Sequence, residues 1–229
     1  MVINGRDTAK LETAVAHLGG GQREVSGIPA DLGRAEECTA LVERVHAESG
    51  RLDILLCNAG GPPAGTFETH GAEAWQQALE ISLLSTIHLA RAAVPRMRAR
   101  RWGRILCLTS VAARQPVPSL ILSTTARAGV LGFAKALADE VAADGVTVNV
   151  LCPGYFATER LRDLAQARGT AQGKSADAIL TEMGQALPIG RIGVPAEFAA
   201  AVVFLASEPA RYITGTVLSV DGGLTRAIL

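Results

Sequence analysis

The chain has 229 residues, 48% hydrophobic and 19% charged, with 22 basic and 22 acidic side chains and a formal net charge of zero. That length suits one α/β domain with a sizeable core, and the balanced charge gives no global field favouring nucleic acid or an anionic membrane surface. No apolar run reaches the roughly 20 residues of a membrane span, and the amino terminus lacks a basic region followed by an apolar one, so a cytoplasmic protein is expected.

Runs rich in Val, Ile and Leu occur at 1–3 (MVI), 52–57 (LDILLC), 104–110 (RILCLTS), 146–152 (VTVNVLC) and 216–221 (TVLSVD). Each has the length and composition of a strand buried on both faces. Between them, helical patterns span 7–18, 33–49, 73–99, 122–143 and 195–206. Strand alternating with helix predicts an α/β fold with a parallel sheet covered on both sides, in a single domain over 1–229. The least regular stretch is 159–187, where weakly amphipathic segments are joined by Gly and Ser. It reads equally as a lid over substrate or as an ordinary surface excursion.

Cys38, Cys57, Cys107 and Cys152 have no CxxC spacing, and the last three fall in apolar runs, which predicts buried thiols. The four histidines show no mutual ligand spacing, so no metal site is assigned. The basic run RMRARRWGR at 96–104 reads as the solvated end of a helix and the loop beyond it rather than as a nucleic-acid contact. Helix 195–206 and the carboxyl-terminal tail are apolar enough to serve as a subunit interface as well as core.

In parallel sheets of this kind ligands bind beyond the carboxyl ends of the strands. Here those ends carry Asn4-Gly5-Arg6-Asp7, Asn58-Ala59-Gly60-Gly61, Thr109-Ser110, Pro153-Gly154 and Asp221-Gly222-Gly223. Small and turn-forming residues at five strand ends predict one continuous cleft.

CNAG at 57–60, a serine closing a strand at 110, NVLCPGYFAT at 149–158, PIGRIGVPAEFAAAVVFLAS and YITGTVLSVDGG together resemble the short-chain dehydrogenase/reductase family. The branch most similar contains the 3-oxoacyl-carrier-protein reductases. The resemblance implies a Rossmann-type doubly wound sheet, hydride transfer between NAD(P)H and a small-molecule carbonyl or alcohol, and a homo-oligomer, dimer or tetramer. It places Asn58, Ala59 and Gly60 beside the adenosine half of the cofactor and Asp31 near the adenine. Pro153, Gly154 and Thr158 flank the nicotinamide, and Ser110 bonds the substrate oxygen. Arg6 follows the strand where the family selects its dinucleotide. A guanidinium there suits the 2′-phosphate of NADP, while Asp7 beside it keeps NAD open.

Two departures from the family pattern follow. The family opens with a strand and a TGxxxGxG loop whose amides approach the pyrophosphate. MVINGRD instead matches the second family strand, so the chain is expected to be amino-terminally shortened, with two half-sheets and weak cofactor binding. The family also carries YxxxK, its tyrosine about thirteen residues beyond the catalytic serine. Counting from Ser110 reaches Ser123, and four further reaches Arg127; Ser82 stands where a relay asparagine is usual.

A phenol of pKa about 10 can be tuned toward neutrality by a neighbouring cation, whereas an aliphatic hydroxyl cannot. Arg127 stays protonated, so it can anchor ribose hydroxyls but not shuttle a proton. Ser123 reads either as a helix cap or packing residue or as a substrate contact. Tyr155 is the candidate replacement donor, with packing on the cleft wall as its plainer reading. The chain is expected to be an impaired or inactive oxidoreductase, or else a non-catalytic nucleotide- or ligand-binding relative or oligomer partner.

Overall fold

The computed structural model describes residues 1–19 and 24–228. The chain opens on strand β1 (Val2–Gly5), then helix α1 (Thr8–Gly19), β2 (Ser26–Pro29), α2 (Ala35–Ser49) and β3 (Ile54–Cys57). Helices α3 (Ala72–Leu79) and α4 (Ser85–Arg100) lead to β4 (Gly103–Leu108), followed by α5 (Ile121–Val141) and β5 (Val146–Pro153). Helices α6 (Glu159–Gln172), α7 (Ala176–Gln185) and α8 (Pro195–Ala206) precede the last strand, β6 (Val217–Val220). All five strands expected from apolar runs are present. β2 is the one missed, because Gly27 and Pro29 interrupt it and only Ile28 is buried.

The sheet is divided, matching the two half-sheets expected from the sequence. β1 pairs in parallel with β2, while β3, β4, β5 and β6 form a separate parallel sheet in that order. No ladder joins β1 to β3. On one face α2, α4 and α5 bridge both parts with a common core, in which Ile28, Leu55, Ile105 and Val148 meet Leu41, Leu89 and Val130. On the other face α1 packs on β2 so closely that a Cβ on Gly27 would lie 2.9 Å from Leu11. There α8 covers β4 and β5 through Leu205, against Leu106 and Leu151. Between α1 and α8, Ile54 and Leu56 of β3 remain 46% and 43% exposed.

The helical pattern over 73–99 contains a break. A π turn at Glu80–Leu84 separates α3 from α4, with the Ser85 amide donating to the Glu80 carbonyl, and Pro95 is accommodated within α4. The 159–187 stretch is more ordered than its weak pattern suggests. Thr158 and Ser175 cap α6 and α7, and Leu161, Ala165, Ile179 and Met183 give the pair its own small core. The basic run is not simply a solvated end. Arg96 pairs with Glu43 and Arg98 with Asp144, while Arg104 is 2% exposed, stacked 4.3 Å from the Trp102 ring and bonded to Glu208. All four cysteines are buried and free. Burial, with help from Asp31 and Glu37, pushes the Cys38 thiol up to about 11.

His46 of α2 is buried, and its Nε2 has no partner among the described residues. Burial, then the guanidinium groups of Arg96 and Arg100, push its pKa below the ordinary imidazole value. A folded-state pKa depressed in this way means that the unfolded chain binds the proton more readily. Stability is therefore full above roughly pH 6.5 and declines as pH falls below it. Substituting His46→Leu should flatten the loss of melting temperature between pH 7.5 and 5.5, measured by circular dichroism. The divided sheet yields a second expectation. In hydrogen-exchange mass spectrometry, amides of Val2–Gly5 and Ile54–Cys57 should exchange about a hundredfold or more faster than those of Val146–Cys152, whose strand is paired on both sides. Equal protection would mean that the β1 and β3 edges are covered.

Candidate active site

The loop after β3, the end of β4 and the start of α5 come together. The Gly65 amide donates to the Ser119 carbonyl at 2.8 Å, tying the loop to α5, and the Thr109 amide donates to the Leu151 carbonyl at 2.9 Å, extending β4 along β5. Arg127, on the second turn of α5, reaches back to β4. Its Nη1 donates to the Thr109 carbonyl at 2.6 Å and, at 3.5 Å, to that of Leu108. This fastens the helix to the backbone immediately before Ser110. Burial and the neighbouring positive Arg160 push the Arg127 pKa down from the ordinary guanidinium value, yet a guanidinium remains protonated at any ordinary pH.

Ser110 occupies the amino-terminal cap of a short 3₁₀ turn, its Oγ accepting from the Ala112 amide at 3.2 Å. Its hydroxyl hydrogen is left free for an oxygen beyond the strand end. Ser123 does not cap α5, which corrects one of the two plain readings. The helix starts at Ile121, Leu120 takes the cap position, and Ser123 lies in the first turn at 8% exposure. Ser82 lies in the π turn that packs against α5, where a Cβ on Gly129 would stand 2.9 Å from Leu83. Ser82 Oγ, Thr124 Oγ1 and Arg127 Nε are all buried without a hydrogen-bond partner among the described residues. Such orphaned groups are costly in a dry interior.

The residues expected at the adenosine half divide. Arg6 is exposed at the end of β1 and forms no ion pair among the described residues. The Asp7 carboxylate accepts from the Lys10 amide at 3.1 Å, so the acid beside Arg6 is turned into the first turn of α1. Asp31 is likewise engaged locally, accepting from the Gly33 amide at 3.0 Å. Asn58 and Gly60 are exposed on the loop after β3, with Ala59 half-buried between them.

Around Gly154 and Thr158, the residues expected to flank the nicotinamide, the chain largely satisfies its own hydrogen bonds. The Gly154 amide donates to the Val220 carbonyl at 3.0 Å, and a Cβ on Gly154 would lie 2.7 Å from the Asp221 Cα. Thr158 Oγ1 accepts from the Leu161 amide and donates to the Phe156 carbonyl. Tyr155 packs against the small core of α6 and α7, and lines two shallow depressions of about 120 and 170 Å³ beside Leu187. Neither depression is lined by Ser110, Ser123 or Arg127.

One charged residue at the site was not singled out from the sequence. A Cβ built on Gly61 would lie 3.5 Å from Nη2 of both Arg127 and Arg160. Arg160 comes from the first turn of α6 and reaches the β3 loop, a proximity set by the direction of α6 and not by any local motif.

Residues 1–225 match the family described as enoyl-(acyl carrier protein) reductase. Nodulation protein G of Rhizobium sp. (strain N33) is 35% identical over 225 residues, covering 97% of this chain and 85% of its own. The 3-oxoacyl-[acyl-carrier-protein] reductase FabG of Haemophilus influenzae is 37% identical over 198 residues, 86% of this chain and 77% of its own. Among solved structures, L-sorbose reductase from Gluconobacter frateurii complexed with NADPH and L-sorbose superposes with a TM-score of 0.94 at 32% identity. That match covers 99% of this chain and 87% of the other. A variant of actinorhodin polyketide ketoreductase with NADPH gives 0.93 at 29%, with the same coverage. With parallel strands meeting at Ser110 and Arg127 and a match running through nearly the whole sequence, the chain belongs to the enoyl-(acyl carrier protein) reductase family of the short-chain dehydrogenases/reductases.

Proposed function

We propose that the chain is an NADP-linked oxidoreductase of ketones and secondary alcohols, 3-oxoacyl thioesters among them, with its proton-donor position altered and its turnover correspondingly slow. The observation that carries this is the convergence of Ser110, Arg127 and the Asn58–Gly61 loop at the carboxyl ends of β3 and β4. The similar L-sorbose reductase and polyketide ketoreductase, both described with NADPH, support the cofactor.

The residues present fit the two ends of a dinucleotide. Arg6, with Asp7 occupied in its own turn, offers an uncompensated guanidinium for a 2′-phosphate. At the other end, the unpartnered Nε of Arg127 offers a donor to a ribose hydroxyl or an anionic oxygen. A nicotinamide cofactor, when bound, supplies or accepts the hydride. Ser110 donates its free hydroxyl hydrogen to the substrate oxygen, and Arg127 holds the strand end in place while supplying positive charge. The position where the family carries a phenol is held by Ser123. Ser123 is an aliphatic alcohol, far too weak an acid to replace one. The exposed apolar residues Val203 and Phe204 of α8 and Leu218 of β6 support a homo-oligomer through that face.

A second reading, a ligand-binding protein without turnover, is favoured by one observation. Arg127 spends its shortest hydrogen bond on a backbone carbonyl, a structural duty independent of chemistry.

Fluorescence titration should show NADPH binding more tightly than NADH. Arg6→Gln should weaken NADPH about tenfold while leaving NADH nearly unchanged; equal weakening of both would remove Arg6 from the 2′-phosphate. Assayed with NADPH on a ketone panel, the native chain should turn over slowly, and the pair Ser123→Tyr with Arg127→Lys should raise kcat by about a hundredfold or more. Fast native turnover would refute the altered-donor account. NADPH binding with no turnover in either form would favour the binding protein.

A further inference from the structure

Most arginines of this chain that reach another element find an acid. Arg96, Arg98, Arg104, Arg162 and Arg191 pair with Glu43, Asp144, Glu208, Asp177 and Glu197. Arg127 and Arg160 depart from this. Among the described residues no carboxylate lies within ion-pair distance of either, and each presents its Nη2 at 3.5 Å from the same point, the place a Cβ would take on Gly61. Two like charges have been brought together over bare backbone.

The donors left over have a particular shape. Nη1 of Arg127 is committed to the carbonyls of Thr109 and Leu108. What remains is the edge formed by Nε and Nη2, the fork that receives two oxygens of one planar or tetrahedral anion. Nε on that edge is buried without a partner, and Nη2 is the atom facing Gly61 and Arg160. A buried Nε without a hydrogen-bond partner, with a second guanidinium near the same edge, is destabilised by lost solvation and by repulsion. A single anion relieves both. Gly61 is the reason there is room: its loop carries no side chain between the two cations, and its φ does not fall in the left-handed range that would otherwise explain a glycine.

We propose that Arg127 and Arg160 form an anion subsite over Gly61 that receives a phosphate or carboxylate group, Arg127 through its Nε–Nη2 edge and Arg160 as the closing arm from α6. The subsite lies next to Ser110, through the Arg127 bond to Thr109. Its occupant is either a phosphate of the dinucleotide or the acid group of a substrate. Because α6 supplies the second cation, binding there would also hold the α6–α7 pair against the strand ends. The subsite is independent of hydride chemistry, since its readout is anion affinity.

Isothermal titration of the full chain with inorganic pyrophosphate and, separately, with acetoacetate tests it. At least one probe should bind with Kd of about 1 mM or better, weakening as salt is raised. Arg160→Gln, a change at an exposed side chain, should weaken that binding about tenfold or more. Gly61→Val, which fills the space between the cations, should abolish it, with circular dichroism melts confirming that both variants are folded. Pyrophosphate binding displaced by NADPH would assign the site to the dinucleotide, and acetoacetate binding that persists beside NADPH would assign it to substrate. Failure of both probes to bind, or undiminished binding to folded Arg160→Gln, would overturn the proposal.

Discussion

A parallel sheet has to hide both of its faces and pair its strand edges, because unpaired backbone amides and carbonyls are expensive away from water. In this chain that requirement is met fully at β4 and β5 and fails between β1 and β3. The core is continuous across the break only on the side of α2, α4 and α5. On the other side Ile54 and Leu56 lie open between α1 and α8. Everything about ligand binding inherits this asymmetry. The ends of β3, β4 and β5 are rigidly set by one another, while the β1–β2 unit that carries Arg6 is joined to them by helix packing and not by backbone hydrogen bonds.

The rigid half is where the chemistry-bearing residues gather. Arg127 is fixed at both ends, by α5 on one side and by the Thr109 carbonyl on the other. A lysine ammonium could release such a bond and exchange its proton. A guanidinium holds it and stays charged. Arg127 is thus a permanent positive anchor, and Arg160 stands near it as a second charge. Ser110 keeps its donor because Ala112 uses only its lone pair. On the proposed reading, the site is better equipped to attract and hold a negative group than to deliver a proton.

Much of this was legible in the residues. β4 and β5 announced themselves as unbroken apolar runs because both their faces are buried, and Ser110, Ser123 and Arg127 were placed by the spacing of the family they resemble, with the apolar residues of 128–140 holding the helix in register. β2 was hidden by Gly27 and Pro29, which carry no apolar signal even though Gly27 is small in order to admit Leu11. Arg104 looked like one more member of a basic run, and only the approach of Glu208 and Trp102 across the fold turns it into a buried stacked cation. Arg160 was invisible for the same reason. Its importance lies in a meeting of α6 with the β3 loop, and distance along the chain says nothing about that.

The π turn at Glu80–Leu84 has a mechanical consequence. An α-helix advances about 100° per residue, so one extra residue in a turn rotates everything beyond it by nearly a third of a revolution. α3 and α4 are therefore geared to each other through these five residues. Loss of a single residue there would straighten the helix and swing the apolar stripe of α4, with Leu89, Ala93 and Met97, away from the sheet it now covers. Ser82 owes its inward position to that gearing, and the orientation of this wall of the site is held by a helix that is locally one residue too wide.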